Sequence, residues 1–219
     1  MDDSRINNKL PVAKEGIPFI VISGGLTFLF VCTGSFLISI LAGIIFLFII
    51  FFFRDPKRSP ASDSSDAVLT PADGTILEVL HLKGSDNPLG QPAIKVSIFM
   101  SIFNVHVNRI PIRGTIEKIT YHPGKFFSAN LDKASKQNEK NEIGLQTPDA
   151  KKIVFVQIAG LIARRIACWV EKGDRVNAGQ RFGLIRFGSR LEVYMPEGSK
   201  TTIQVRQNVK AGETVIGYL

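Results

Sequence analysis

From Ile17 to Phe53 the chain carries no charged residue, and nine of its sixteen phenylalanines fall there. As one helix the stretch would reach about 55 Å at 1.5 Å per residue, well beyond a hydrocarbon core of ~30 Å. Thr33, Gly34 and Ser35 interrupt it near the middle. The pattern predicts two short helices, roughly 17–32 and 36–53, folded as a transmembrane hairpin with both ends on one side; a single tilted span is the alternative. A secretory signal peptide has an apolar core of only ~7–15 residues and does not account for a segment this long.

Beyond it the pattern changes. Residues 54–66, RDPKRSPASDSSD, are polar with two prolines and fit neither helix nor strand, so they read as a linker. From Ala67 onward, short apolar and β-branched stretches recur between turn signals: AVLT, GTILEVLHL, AIKVSIF, GTIEKITY, KIVFVQIA, RIACWV, RFGLIRF, LEVYM and TTIQV. Many short strands with close turns predict a mainly β sandwich or barrel. Ser128 to Glu142 is polar, lacks Pro and Gly, and reads as a short helix or a loop. The expected organisation is an N-terminal segment 1–16, an anchor 17–53, a linker 54–66 and a β domain 67–219.

Charge divides along the same boundary. Residues 1–53 hold three basic and three acidic residues, so the net +8 falls on residues 54–219. Arg5, Lys9 and Lys14 precede the apolar segment, and Arg54, Lys57 and Arg58 follow it. The positive-inside tendency then puts both flanks, and the β domain, in the cytoplasm. Arg54, Lys57 and Arg58 read either as topogenic charges or as contacts to an anionic membrane surface, each worth about 1 kcal/mol there. Nucleic acid, the other usual partner of a basic chain, is not expected, because no recognition helix, stacking motif or basic stripe is visible. Two cysteines, Cys32 and Cys168, make neither a disulfide framework nor a four-ligand zinc site, and no metal is expected. Cys168 and Trp169 lie in an apolar stretch and read as core.

Several segments are candidates for chemistry. Thr70-Pro71-Ala72-Asp73-Gly74 sits between two predicted strands and is first of all a turn. In FNVHVNR, His106 shares a face with Asn104 and Asn108 if the segment is extended. His81 and His122 are the only other histidines, so no cluster exists. The stretch GDRVNAGQ at 173–180, between strands, resembles the hammerhead turn of barrel-sandwich domains, a fold that includes lipoyl and biotinyl carriers. A carrier needs a modifiable Lys on a tight hairpin; the best candidate, Asp132-Lys133-Ala134, has polar flanks and fits poorly. Gly188-Ser189 lies between RFGLIRF and LEVYM.

Taken in order, TPADG, FNVHVNR, YHPGKFFSAN, LDKASKQNEKNE, GDRVNAGQ and RFGSRLEVYMP resemble the phosphatidylserine decarboxylase proenzymes of the short prokaryotic type, a pyruvoyl-dependent family. The likeness runs over nearly all of residues 10–219, anchor included. It implies a barrel-sandwich-like β domain and self-cleavage of the Gly188-Ser189 bond into chains 1–188 and 189–219, which stay together as a heterodimer. Ser189 would become a pyruvoyl group that forms a Schiff base with phosphatidylserine and yields phosphatidylethanolamine and CO2 in phospholipid biosynthesis, without pyridoxal phosphate. Glycine before the serine leaves its carbonyl unhindered and tolerates a strained backbone. Ser189 Oγ is the implied nucleophile, His106 the base and later the acid, and Asp73 the residue that orients His106. His122 and Lys125, in the segment Tyr121-His122-Pro123-Gly124-Lys125, are candidates for the headgroup pocket. The implied location is the bacterial inner membrane, with the catalytic domain on the cytoplasmic side.

One departure stands out. Longer family members carry His-x-x-His here, and the second position is Arg109, which stays protonated and cannot act as a base. Either His106 fills both roles, or another residue such as His122 fills one. A noncatalytic, membrane-tethered adaptor would share the apolar segment and the hammerhead, but it has no use for Gly188-Ser189 together with Asp73 and His106.

Overall fold

A computed structural model describes residues 3–62, 64–128, 137–161, 166–186 and 188–219. After a short α1 (Asp3–Ile6), helices α2 (Ile17–Cys32) and α3 (Phe36–Phe52) form the hairpin, turning at Gly34 with φ +70°. Gly24 faces the Phe46 ring, where an added Cβ would come within 3.0 Å. Phe28, Phe36 and Leu37 are each more than 70% exposed, so the hairpin shows its apolar surface outward. The helix Lys14–Cys32 is long and apolar enough to cross a membrane, and Phe36–Phe52 is a shorter apolar helix.

The base of the hairpin is sewn together and to the β domain. Ala13 N donates to Phe53 O at 2.8 Å and Asp55 N to Pro11 O at 2.8 Å. Gly16 lets the Phe53 ring approach, since a Cβ would stand 2.4 Å from it. Glu15 accepts from Trp169 Nε1 at 3.0 Å and pairs with Arg5 at 2.8 Å. Trp169 is therefore a core residue that also fastens the N-terminal segment.

The β domain has fourteen strands: β1 Ala67–Leu69, β2 Gly74–Leu82, β3 Ala93–Met100, β4 Val107–Arg109, β5 Gly114–His122, β6 Lys140–Gln146, β7 Lys152–Ile158, β8 Ile166–Cys168, β9 Arg175–Val176, β10 Arg181–Ile185, β11 Ser189–Pro196, β12 Lys200–Thr201, β13 Asn208–Val209 and β14 Val215–Tyr218. A curled eight-stranded sheet runs β13-β2-β3-β11-β7-β6-β5-β9, with three-stranded sheets β4-β10-β8 and β1-β14-β12 beside it. Ile76, Val96, Ile98, Ile143, Phe155, Phe182, Leu191 and Val193 fill the core between them. The expected mainly β fold with an N-terminal helical hairpin is what the chain adopts.

Local readings differ in two places. In 128–142, Lys140 to Glu142 begin β6, whose alternation buries Asn141, Ile143 and Leu145; the rest of that expectation, with Lys133, falls largely on 129–136, outside the described residues. The predicted linker is not a loose tether among its described residues: the carboxylate of Asp55 is buried between Arg109 at 3.2 Å and Arg181 at 2.6 Å.

Candidate active site

One row of paired residues crosses the large sheet: Thr75, Phe99, Arg190, Ile158, Lys140 and His122. Ser189 precedes Arg190 and faces Met100, so the nucleophile candidate stands at the head of β11, between β3 and β7. Asp73 precedes β2 at the same end. Gly74 brings its backbone close to β3, for a Cβ there would stand 2.1 Å from Phe99 O. The loop after β3 leads to His106 before β4. Ser189, Asp73 and the loop that leads to His106 therefore lie at the same end of the neighbouring strands β11, β2 and β3.

Gly188 adopts φ +64°, the left-handed region that favours glycine, although a Cβ there would meet nothing within 4 Å. Conformation, not space, calls for the residue. Ser189 is fully buried, and its Oγ lies 3.3 Å from the Met100 sulfur, a weak acceptor. Among the described residues its hydroxyl has no stronger partner.

His106 is fully buried, with its ring 4.1 Å from that of Phe52 at the end of α3. Nδ1 stands 2.9 Å from Asn104 O. A carbonyl only accepts, so Nδ1 carries the proton and the Nε2 lone pair is free. Nε2 is buried with no partner among the described residues. Burial, and secondarily the charge of Arg54, hold the imidazole down to about 4, against the opposing bond from Asn104. At neutral pH it is an uncharged base.

Asp73 has hydrogen-bond partners other than His106 in this structure. Its Oδ1 accepts from Ala211 N at 2.7 Å, and its Oδ2 pairs with Arg58 at 2.8 Å. The Asn104 backbone carbonyl sets the tautomer of the imidazole. The Arg58 side chain is only 9% exposed and also meets Glu213 at 3.3 Å. Lys57 is exposed. Arg54 donates to Phe51 O and Phe103 O, both at 2.8 Å.

Arg109 donates to Gly179 O at 3.0 Å and Pro56 O at 2.9 Å in addition to Asp55. It clamps the hairpin exit onto the hammerhead turn. His122 pairs with Glu142 at 3.2 Å, three strands from Ser189 along the row, and the Lys125 side chain is exposed. Neither is brought to Ser189. A cavity of about 940 Å³ does open beside Asp73, lined by Arg54, Lys57, Arg58, Arg181 and Lys210 along with Lys9 from the N-terminal segment. Sequence reasoning did not bring Lys9, Arg181 and Lys210 to this site, since no local motif connects them. Among the described residues no group of three metal-ligating side chains occurs.

The family profile described as phosphatidylserine decarboxylase matches residues 45–217. Relatives named phosphatidylserine decarboxylase proenzyme include one from Syntrophus aciditrophicus, 50% identical over 211 residues covering 94% of this chain and 96% of the relative. Another, from Desulfotalea psychrophila, is 44% identical over 96% of this chain and 98% of its own length. A third, from Burkholderia cenocepacia, is 43% identical over 95% and 96%.

Proposed function

Because the chain belongs to the phosphatidylserine decarboxylase family, we propose that it cuts itself at Gly188-Ser189 and turns Ser189 into a pyruvoyl group, with which it converts phosphatidylserine to phosphatidylethanolamine and CO2 in phospholipid biosynthesis. One observation carries this reading: a left-handed glycine precedes a buried serine whose hydroxyl, among the described residues, has only a thioether for a partner, at the head of an interior strand.

The self-cleavage needs only groups of this chain and one water. Ser189 Oγ attacks the Gly188 carbonyl carbon, and His106 Nε2 takes the hydroxyl proton. The tetrahedral centre collapses as the peptide C–N bond breaks and the nitrogen receives that proton, leaving an ester on Oγ. Loss of the Ser189 Cα proton then expels the Gly188 carboxylate, ending chain 1–188. The dehydroalanine left behind tautomerises to an imine, takes up water and releases ammonia. A pyruvoyl carbonyl supplies the electron sink that the carbanion left by CO2 requires, a role otherwise filled by pyridoxal phosphate.

The surrounding residues suit the group and its substrate. Burial of Ser189 and His106 favours loss of a charged carboxylate. An anionic substrate raises the proton affinity of the neighbouring imidazole, so that Nε2 can hold a proton for the substrate Cα. Lys9, Lys57 and Lys210 line the basic cavity and are exposed, a better setting for the phosphodiester than His122 and Lys125. β11 pairs with β3 and β7 on its two sides, so chain 189–219 stays bound to chain 1–188 as a heterodimer after the cut. The hairpin anchors the enzyme in the inner membrane with the β domain on the cytoplasmic side, where both basic flanks belong.

The test is the intact mass of the purified protein. Two chains are expected, the smaller lighter by one ammonia than residues 189–219 with a serine terminus. A single uncut chain that decarboxylates the lipid would overturn the proposal.

A further inference from the structure

Three buried carboxamides join head to tail beside Ser189. Asn141 Nδ2 on β6 donates to Gln157 Oε1 on β7 at 3.2 Å, and Gln157 Nε2 donates to Asn108 Oδ1 on β4 at 2.9 Å. The Asn108 Nδ2 then points at the Met100 sulfur, 3.7 Å away, the same sulfur that Ser189 Oγ approaches. The donors all run one way, and the last ends on the sulfur that the nucleophile also approaches, an acceptor too weak to satisfy it. Gln157 decides how Asn108 faces: with Oδ1 occupied by a donor, the NH2 group is turned toward Ser189. Gly183, opposite Asn108 on β10, makes the room, since a Cβ there would stand 2.8 Å from Gln157 Nε2. Asn108 and Gln157 are fully buried, and burying amides is costly unless each is bonded. A donor left against a thioether is the one incomplete bond in the series, and a nearby negative charge would complete it.

We propose that Asn108 Nδ2 donates a hydrogen bond to the oxyanion formed when Ser189 Oγ attacks the Gly188 carbonyl, with Gln157 and Asn141 as positioning residues that aim it. The inference rests on the self-cleavage reading above. As the Oγ–C bond forms and the proton leaves Oγ, charge builds on the Gly188 carbonyl oxygen; it returns to the carbonyl when the C–N bond breaks. Asn108 has an anionic partner only during that interval, so its bond is stronger in the transition state than in the precursor. Aligned amide dipoles shielded from water strengthen it further.

The full chain, synthesised cell-free into phospholipid vesicles, allows cleavage to be followed from time zero by denaturing electrophoresis, with and without hydroxylamine, which cuts an ester at 188/189. Asn108→Leu is expected to slow cleavage about 100-fold, the usual loss for one oxyanion donor, with no accumulated fragment released by hydroxylamine, because ester formation is the slowed step. Gln157→Leu, which leaves Asn108 present but unaimed, is expected to slow it less and to keep a wild-type melting profile of the β domain. Cleavage of Asn108→Leu within threefold of wild type, or its release by hydroxylamine, overturns the proposal. If Asn108→Leu does not fold, Gln157→Leu decides, and an unchanged rate in that variant overturns it. Failure of the wild-type chain to cut at 188/189 would instead sink the self-cleavage reading itself, so the two failures are distinct.

Discussion

Phe52, the last residue of α3, lies with its ring 4.1 Å from the His106 imidazole, the two planes inclined by 35°. The apolar hairpin is therefore more than a tether. Its end forms one wall around the candidate base, and Phe52 is itself only 1% exposed. The burial that holds His106 down to about 4 depends in part on a residue of the hairpin.

That contact predicts a pH response. With the imidazole held near 4, Nε2 stays unprotonated through mildly acidic conditions, and self-cleavage of the wild type is expected to keep its rate down to about pH 5. Phe52→Ala admits water and returns the imidazole toward its ordinary value of about 6.5. The acid limb of the cleavage rate should then move upward by one to two pH units. Stability follows the same sign: between about 4 and 6.5 the unfolded chain binds a proton that native His106 refuses, so the native state weakens as pH falls through that window. Cleavage rates from pH 4.5 to 8 check this, and an unmoved acid limb in Phe52→Ala refutes it.

Ser189→Ala should leave one uncut chain with no decarboxylase activity, since it lacks the attacking oxygen. Ser189→Cys keeps a nucleophile at the same position and should cut more slowly. Gly188→Ala forces a side chain into the left-handed region at a cost of roughly 1–2 kcal/mol, and cleavage should slow without loss of the fold. Electrophoresis under denaturing conditions, alongside CO2 release from carboxyl-labelled phosphatidylserine, reads all three. Full activity in Ser189→Ala would show that no group derived from Ser189 takes part.

The exposed lysines of the basic cavity bear on substrate capture. Lys57→Gln and Lys210→Gln should each raise KM for phosphatidylserine vesicles about fivefold at low salt, the equivalent of ~1 kcal/mol per lysine near an anionic surface, with kcat unchanged. The difference should shrink at 1 M salt, where the screening length falls to about 3 Å. A lowered kcat with constant KM would instead assign these lysines to the chemical step.

Much of this was legible in the sequence, and the gaps have physical causes. The strands β2, β3, β5, β7 and β11 follow from β-branched residues bounded by turns. β6 was hidden because Asn141 and Gly144 dilute its alternation, although Asn141 is buried. Ser189 stood out through its motif. Phe52 could not, because one phenylalanine among nine in an apolar run has no local mark. Asn108 and Gln157 escaped because they meet only through the pairing of separate strands. The linkage of Asp73 to His106 was inferred from family order, yet Arg58 claims that carboxylate from the linker.

Arg109 supplies the last prediction, because the family resemblance would put a second histidine at this position. If the position mattered for base chemistry, Arg109→His would quicken self-cleavage. Its surroundings give it a structural role instead. The guanidinium joins Asp55, Pro56 O and Gly179 O, and only 6% of the side chain is exposed. Burial is the main reason its pKa drops to about 10, with the pull of Asp55 opposing, and at that value it remains charged at neutral pH. A histidine is too short to span three acceptors and is mostly neutral at pH 7.5. Arg109→His would leave Asp55 to Arg181 alone, and breaking a buried pair costs about 3–5 kcal/mol. The expected outcome is a melting temperature lower by about ten degrees or more, given roughly 4–8 °C per kcal/mol for small domains and less for larger ones, with cleavage no faster than wild type. Faster cleavage at unchanged stability would restore a catalytic role to this position.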